Sequence, residues 1–381
     1  MFKNPIDKLF EKLTSQLNEP AWLQQKRRQA LKNFQDLGLP TRKSELWKYT
    51  DVKRLERLQD VTDIAEGNEH FVFTIEGELP TETSMSNITD LEEANWQEIE
   101  TDKERVFVEL NTAMLNSGFE LSIAKNSKLK LHIQYQQISA AWENIRTVIN
   151  VGENAQLDLT ESYDYDCRIN HVAIINAEKN STIKLQSNKL LAKTAALLHY
   201  LKINCAQNVN IEQSAVNNNA SLSHMIQDVD FNGEHCQFKA ASVNVVHNSC
   251  HIAENIQTNH LIGNCKSEVI KRSLATDKGQ VAINAKAVVS VAADGSDVAQ
   301  SLKNILLSDD AKIYSRPELE INTDDVIAAH GSTIGELDEL SLTYLRSRGI
   351  PKDQAKFMLI ESFLQDANIF KLENFLDSIE L

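Results

Sequence analysis

The sequence predicts a mainly β protein: a right-handed parallel β-helix, or solenoid, with N-terminal and C-terminal helical caps. Three observations lead there. A short pattern recurs at residues 122–131, 150–159, 176–185 and 204–211, with starts 28, 26 and 28 residues apart. Each copy turns a polar corner at Asn126, Asn154, Asn180 or Asn208. Apolar residues then alternate, as Leu129 and Leu131, Leu157 and Leu159, Ile183 and Leu185, and Ile211. Asn tolerates the left-handed backbone of a sharp corner, and the alternation is a strand with one buried face. A fourth step of 28 reaches Asn232, one residue shorter before its apolar Phe238.

A second short strand precedes each corner, at Val148 and at residues 172–174, 201–203 and 229–231. Two strands and two turns per period make a rung, and rungs must stack because one alone cannot bury its apolar face. Leu157, Ile183, Ile211 and Phe238 are expected in one interior row. An antiparallel sandwich also has short alternating strands. The recurring Asn corners and the near-constant period favour the solenoid.

Taken in order, the chain opens with a helical stripe of Ile6, Leu9, Phe10, Leu13 and Leu17, ended by Glu19-Pro20. A second helix runs to Leu37 with Gly38 just after it, and its stripe is Trp22, Arg27, Ala30, Leu31, Phe34 and Leu37. Residues 39–51 carry Trp47 and Tyr49 among alternating charges and read as a hydrophobic anchor. The stretch 60–115 is acidic and reads as an irregular, poorly packed connection with a few strands. The solenoid period breaks over 247–279 and resumes at 281–291 and 304–314. Helix returns at 338–348, closed by Gly349. Pro351 opens the next helix, with a stripe of Ala355, Met358, Leu359, Ser362 and Phe363, and a last one carries Ile369, Leu372, Phe375, Leu376 and Ile379. These stripes are wide for short helices, so either a partner buries part of them or they pack on each other and on the solenoid end. The expected organisation is a helical region 1–60, the acidic connection 61–120, the β-helix core 121–330 and a helical region 331–381.

Composition narrows the function. A formal charge of −15, with no useful Lys/Arg run, argues against nucleic acid and anionic membranes as partners. Five cysteines without a CxxC pair, no apolar signal core and no membrane-length run point to a reducing cytoplasm. Metal-type side chains gather at His235, Cys236, His247, Cys250, His251, His260 and Cys265. Their spacings match no structural zinc knot, and neighbours on a strand point to opposite faces, so they read as ordinary rung residues. Neither GxSxG, HExxH nor a P-loop occurs. A β-helix carbohydrate enzyme would need clustered carboxylates on one face and export. An assembly platform fits better.

At its carboxyl end the chain resembles a known family. Pro317-Glu-Leu-Glu-Ile321, Asp324-Asp-Val326, His330-Gly-Ser-Thr-Ile-Gly-Glu-Leu-Asp338 and Tyr344-Leu-Arg-Ser-Arg-Gly-Ile-Pro351 are similar to signatures of the SufB/SufD family. So are residues 258–271 and 277–279, and the amino-terminal Leu39-Pro-Thr-Arg-Lys-Ser-Glu-Leu-Trp-Lys-Tyr-Thr50, which is most like the SufD branch. The segment 293–304 drifts from the family pattern.

The resemblance implies a noncatalytic scaffold of iron–sulfur cluster assembly. It would pair with a SufB-like subunit through the β-helix and bind a SufC-like ATPase through the C-terminal helices, and it allows a homodimer when isolated. The ATPase contacts would fall on Tyr344, Leu345, Arg346, Arg348, Gly349, Met358 and Phe363. The family's Cys-x-His-Gly motif maps its histidine onto His330 and its cysteine onto Ala328. His330 is then the candidate ligand of a nascent cluster at the SufB interface. No cofactor would be bound stably by the isolated chain, only a transient cluster in the complex. A SufB-like subunit carrying the cluster itself is the alternative, which Ala328 weakens.

Overall fold

The computed structural model describes residues 3–17, 19–59, 71–76, 78–136 and 142–367. Two helices open it, α1 (Lys3–Gln16) and α2 (Ala21–Leu37). Strands β1 (Phe71–Ile75) and β2 (Ser84–Asn87) precede α3 (Val106–Ala113). The solenoid begins with β3 (Ser117–Ile123), β4 (Lys128–Tyr135), β5 (Glu143–Val151), β6 (Gln156–Tyr163) and β7 (Arg168–Ala177). It continues through β8 (Thr182–Leu190), β9 (Ala196–Cys205), β10 (Asn210–Asn218), β11 (Leu222–Phe231), β12 (Gln237–Val246) and β13 (His251–His260). It ends with β14 (Lys266–Ala275), β15 (Gln280–Val289), β16 (Ser296–Leu306), β17 (Lys312–Ile321) and β18 (Val326–Gly335). Two helices follow, α4 (Glu339–Ser347) and α5 (Lys352–Gln365). The last helix expected from the sequence, with its apolar stripe at 369–379, lies outside the described residues.

From β3 onward, successive strands alternate between two parallel sheets, making about eight turns of a parallel β-solenoid. The even strands run β4 to β18 in one sheet and the odd strands β3 to β17 in the other. Among the described strands, only the additions at the first rung are antiparallel, β1 on β4 and β2 on β3. The register places Leu157, Ile183, Ile211 and Phe238 in one interior row, as the period requires.

The corners explain the period. Asn126, Asn154, Asn180 and Asn208 all have φ between 56° and 59°. Their side chains form a ladder: the Asn154 amide donates to Asn126 Oδ1 at 3.0 Å, Asn180 to Asn154 at 3.0 Å and Asn208 to Asn180 at 2.8 Å. In the fifth copy the positive φ falls on His235, so the corner comes one residue early and absorbs the shortened spacing. The stretch 247–279 does not break the solenoid. It forms β13 and β14 in register, with left-handed corners at Asn248, Asn264 and Asp277. The apparent break reflects buried polar side chains on these strands, among them Glu254, Asn255, Lys271 and Arg272, and a second row of corners that only the folded chain lines up.

On the outer face of the even-numbered sheet, Lys130, Asp158, Lys184, Glu212, Lys239 and Glu268 are register partners from rung to rung. The sign alternates at every step, and Lys239 reaches Glu268 at 3.1 Å. Exposed pairs contribute little each, but like charges across a strand pair would oppose other registers.

The outer face of the odd-numbered sheet is covered instead. Val148 and Ile174 pack under Leu23 and Trp96, while Leu198, Tyr200, Leu222 and Ile226 pack under Phe34, Trp47, Leu55 and Phe107. The acidic region 60–115 is therefore not all loose. It contains α3, every residue of which is buried, because Val106, Phe107, Val108 and Leu110 are apolar around the helix. In α2 the buried face is Leu23, Arg27, Ala30 and Phe34, with Arg27 paired to Glu19 at 2.5 Å. At the other end, Ile360, Leu364 and Phe363 lay α5 on Val216, Val243, Val245 and Leu274 of the even-numbered sheet.

Five buried histidines belong to this core. His171 and His199 stack face to face at 4.8 Å, and His171 bonds Thr147 and Tyr163, both at 2.9 Å. His224 stacks on Trp47, His251 meets Thr50 and His260 meets Ser267. Burial pushes His171 and His251 down to about 3 and His260 to about 4, with His199 and His224 also far below the usual value.

Two outcomes follow from this packing. Ile183→Asp would bury a carboxylate between Leu157 and Ile211, at a cost of several kcal/mol, and should unfold the array cooperatively. A near-wild-type thermal melt of that variant would contradict the row assignment. The histidines bind protons more readily unfolded than folded, so stability is full above about pH 6.5 and falls as pH drops toward about 3. Each contributes a slope of ~1.4 kcal/mol per pH unit inside that window. Denaturant midpoints from pH 7 to 4 measure it, and a flat profile would contradict neutral burial.

Candidate functional site

The metal-type group of residues 235–265 resolves into separate structural roles. Cys236 and Cys265 donate to backbone carbonyls, Cys250 is buried at a corner, and His251 and His260 take the hydroxyl partners given above. His235 forms a corner, and His247 contacts the Asn248 amide. Among the described residues, no group of three or more His, Cys, Asp or Glu side chains is placed to hold a metal ion. Neighbours such as Cys250 and His251 do point oppositely. Both are buried all the same, since one faces the solenoid core and the other the N-terminal cap.

The open end of the solenoid has a different character. Among the described residues, β17 and β18 are the last strands of their sheets, and each has one edge without a strand partner. On β18, Ala328 packs inward on the cluster of Ala287, Val289 and Val298. His330 shares its parity, two residues on, and is the register partner of Gln300 on β16. With no further rung above it among the described residues, His330 is exposed. Gln300 is buried beneath and donates to the Glu318 carbonyl at 3.3 Å, while its side-chain oxygen has no protein partner. Ser332 donates to Ser315 Oγ at 2.8 Å across the two sheets. Ile327 is 72% exposed, Ile334 47% and Ile321 38%, which puts apolar surface around this mouth. Neither Gln300 nor Ser315 stood out in the sequence. Counting one rung back from His330 would have found Gln300.

Residues 39–51 reach the same end as a strap along the odd-numbered sheet. Trp47 stacks on His224 at 3.6 Å and donates from its indole to the Glu104 carbonyl. Gln280 donates to the Tyr49 carbonyl at 2.7 Å, Tyr49 stacks on Tyr314 at 4.0 Å, and Arg316 pairs with Glu45 at 2.9 Å. The segment is an anchor, as its aromatics suggest.

The C-terminal helices divide the residues assigned to the ATPase contact. Asp338 caps α4 by accepting from the Leu340 and Ser341 amides, and Gly349 ends it at φ 87°. Tyr344, Arg346 and Arg348 are exposed, with the Arg348 guanidinium 5.3 Å from the Tyr344 ring. Leu340 is 82% exposed. On α5 the buried residues are Ala355, Ile360 and Leu364, which leaves Met358 outward. Phe363 faces the solenoid and Leu345 is half-buried, so these two support the surface more than they present it.

Comparison with known proteins agrees with this architecture. Residues 133–363 match the family model "SUF system FeS cluster assembly, SufBD core domain", and residues 3–59 match the SufBD protein N-terminal region. The chain is 25% identical to the iron–sulfur cluster assembly protein SufD of Escherichia coli, over 88% of this chain and 86% of the relative. It is 23% identical to SufD of Bacillus subtilis, over 91% and 89%. A SufBD family protein of Synechocystis, slr0076, is 25% identical over 94% and 90%. The carbohydrate-active reading has no support in these matches. With the core model spanning more than half of its length and the solenoid in place, the chain belongs to the SufBD family of iron–sulfur cluster assembly proteins.

Proposed function

We propose that this chain is a SufD-type scaffold subunit, noncatalytic by itself, that handles a nascent iron–sulfur cluster as cargo together with a SufB-like partner. The observation that carries the reading is His330 on the inward row of the last, open-edged rung. An unpaired strand edge with exposed isoleucines is a surface suited to strand pairing with another chain. Imidazole is a competent iron ligand, but clusters are held chiefly by thiolates. Ala328 offers none, so the partner must supply them. The same edge on a second copy of this chain would account for a homodimer of the isolated subunit.

The SufD assignment is supported by the relatives that bear that name and by Ala328, which counts against the SufB-like alternative. Five free, buried cysteines fit a reducing cytoplasm. A SufC-like ATPase would dock on the outward face of α4 and α5, where Leu340, Tyr344, Phe357 and Met358 are apolar and exposed beside Arg346 and Arg348.

Two experiments test these roles. His330→Ala should lower reconstituted iron and sulfide per complex while gel filtration shows assembly with SufB and SufC unchanged. An unchanged yield removes His330 from cluster handling, and a lost complex makes it an interface residue only. Leu340→Asp combined with Tyr344→Ala should weaken ATPase capture at least ~10-fold, as loss of an interface anchor does, with the thermal melt unaltered. Capture at wild-type level would place the dock elsewhere.

A further inference from the structure

Two of the five thiols stand apart from the others. Cys236 and Cys265 each occupy the position immediately before a strand, and the residues that follow them, Gln237 and Lys266, are register partners on β12 and β14. The Lys266 amide donates to the Cys236 carbonyl at 2.8 Å, which extends the register to the cysteines themselves. Adjacent parallel strands run ~4.8 Å apart, inside the Cα separation that a disulfide spans. Both thiols approach one acceptor, the Gly233 carbonyl, at 3.2 and 3.3 Å. Cys236 also donates to the Ala206 carbonyl at 2.8 Å and Cys265 to the Gly263 carbonyl at 3.5 Å, so the shared Gly233 carbonyl is the acceptor that brings the two thiols together.

The pair is also electronically asymmetric. The hydrogen bond from Cys265, helped by backbone N–H groups of Val209, Asn208 and Gly233, brings Cys236 down to about 7, while Cys265 is pushed up. The remaining thiols move the other way: burial pushes Cys167 up to about 12 and Cys250 up to about 11, and Cys205 rises as well. Only one layer of corner residues, exposed at Asn232, Glu234, His235 and Asn264, separates the pair from solvent.

We propose that Cys236 and Cys265 are a peroxide-reactive dithiol that closes to a disulfide across two adjacent rungs. The Cys236 thiolate attacks one oxygen of a hydroperoxide. The O–O bond breaks, an alcohol or water leaves with a proton, and Cys236 becomes a sulfenic acid. Cys265 then gives up its proton and attacks the sulfenic sulfur. The S–O bond breaks and water leaves. Two thiols and one hydroperoxide thus yield one disulfide, one alcohol (or water) and one water.

The test uses the full-length folded protein, reduced, treated with hydrogen peroxide near neutral pH, blocked with N-ethylmaleimide and mapped by mass spectrometry. The expected product is one linked peptide joining Cys236 to Cys265, with the other three thiols alkylated. Cys265→Ser should stop the reaction at a sulfenic acid on Cys236 that dimedone traps. Cys236→Ser should slow oxidation of the remaining thiols at least ~10-fold, because the reactive thiolate is gone. A linked peptide containing Cys167, Cys205 or Cys250 in place of either member would overturn the assignment. So would linkage that forms only in denaturant, or wild-type oxidation kinetics in Cys236→Ser. If either serine variant fails to fold, the wild-type peptide map decides alone.

Discussion

Everything in this chain depends on rungs stacking in register. A single rung of two strands has an apolar inner face and nothing to bury it against, so each gains stability only from its neighbours. The Asn ladder at the corners and the apolar row through Ile183 are two expressions of that constraint. One satisfies the polar groups of the turns, and the other fills the core. The alternating charges outside Lys130 to Glu268 add a third, by making other pairings of the same strands unfavourable.

The fold was legible where one local signal coincided with one structural role. Asn is both the residue that tolerates positive φ and the residue that can ladder, so Asn126 to Asn208 announced the period. The signal faded where these roles separated. His235 takes the corner without being Asn, and the odd-numbered strands lose alternation because Tyr200 and Ile226 are covered from outside by Trp47 and its neighbours. A strand buried on both faces carries no period of two. The helix α3 was hidden for a similar reason, in an acidic surrounding that masked a short segment apolar on every side.

The site was legible only in part. His330 was found through a motif, but its inward parity and the buried Gln300 beneath it depend on register across 30 residues of chain, which sequence does not state. The C-terminal helices show the same limit. Apolar stripes say that a face is buried, not what buries it, and Phe363 proves to lie on the solenoid while Met358 turns outward. Residues that act at an edge are defined by what is missing next to them, and only the assembled fold shows that.

The strap of residues 39–51 crosses β11, β13, β15 and β17 from outside, touching four successive rungs of one sheet. A stack held only by nearest-neighbour contacts would fray from its open end, one rung at a time. A tie running lengthwise changes that statistics, because loosening the terminal rung also strips Tyr49 from Tyr314 and Glu45 from Arg316. Distant parts of the array are thereby bound to a common fate, and the mouth that bears His330 is held to the rigidity of the middle. The amino-terminal end of the chain thus acts as a tensioning cord for the opposite end of the molecule.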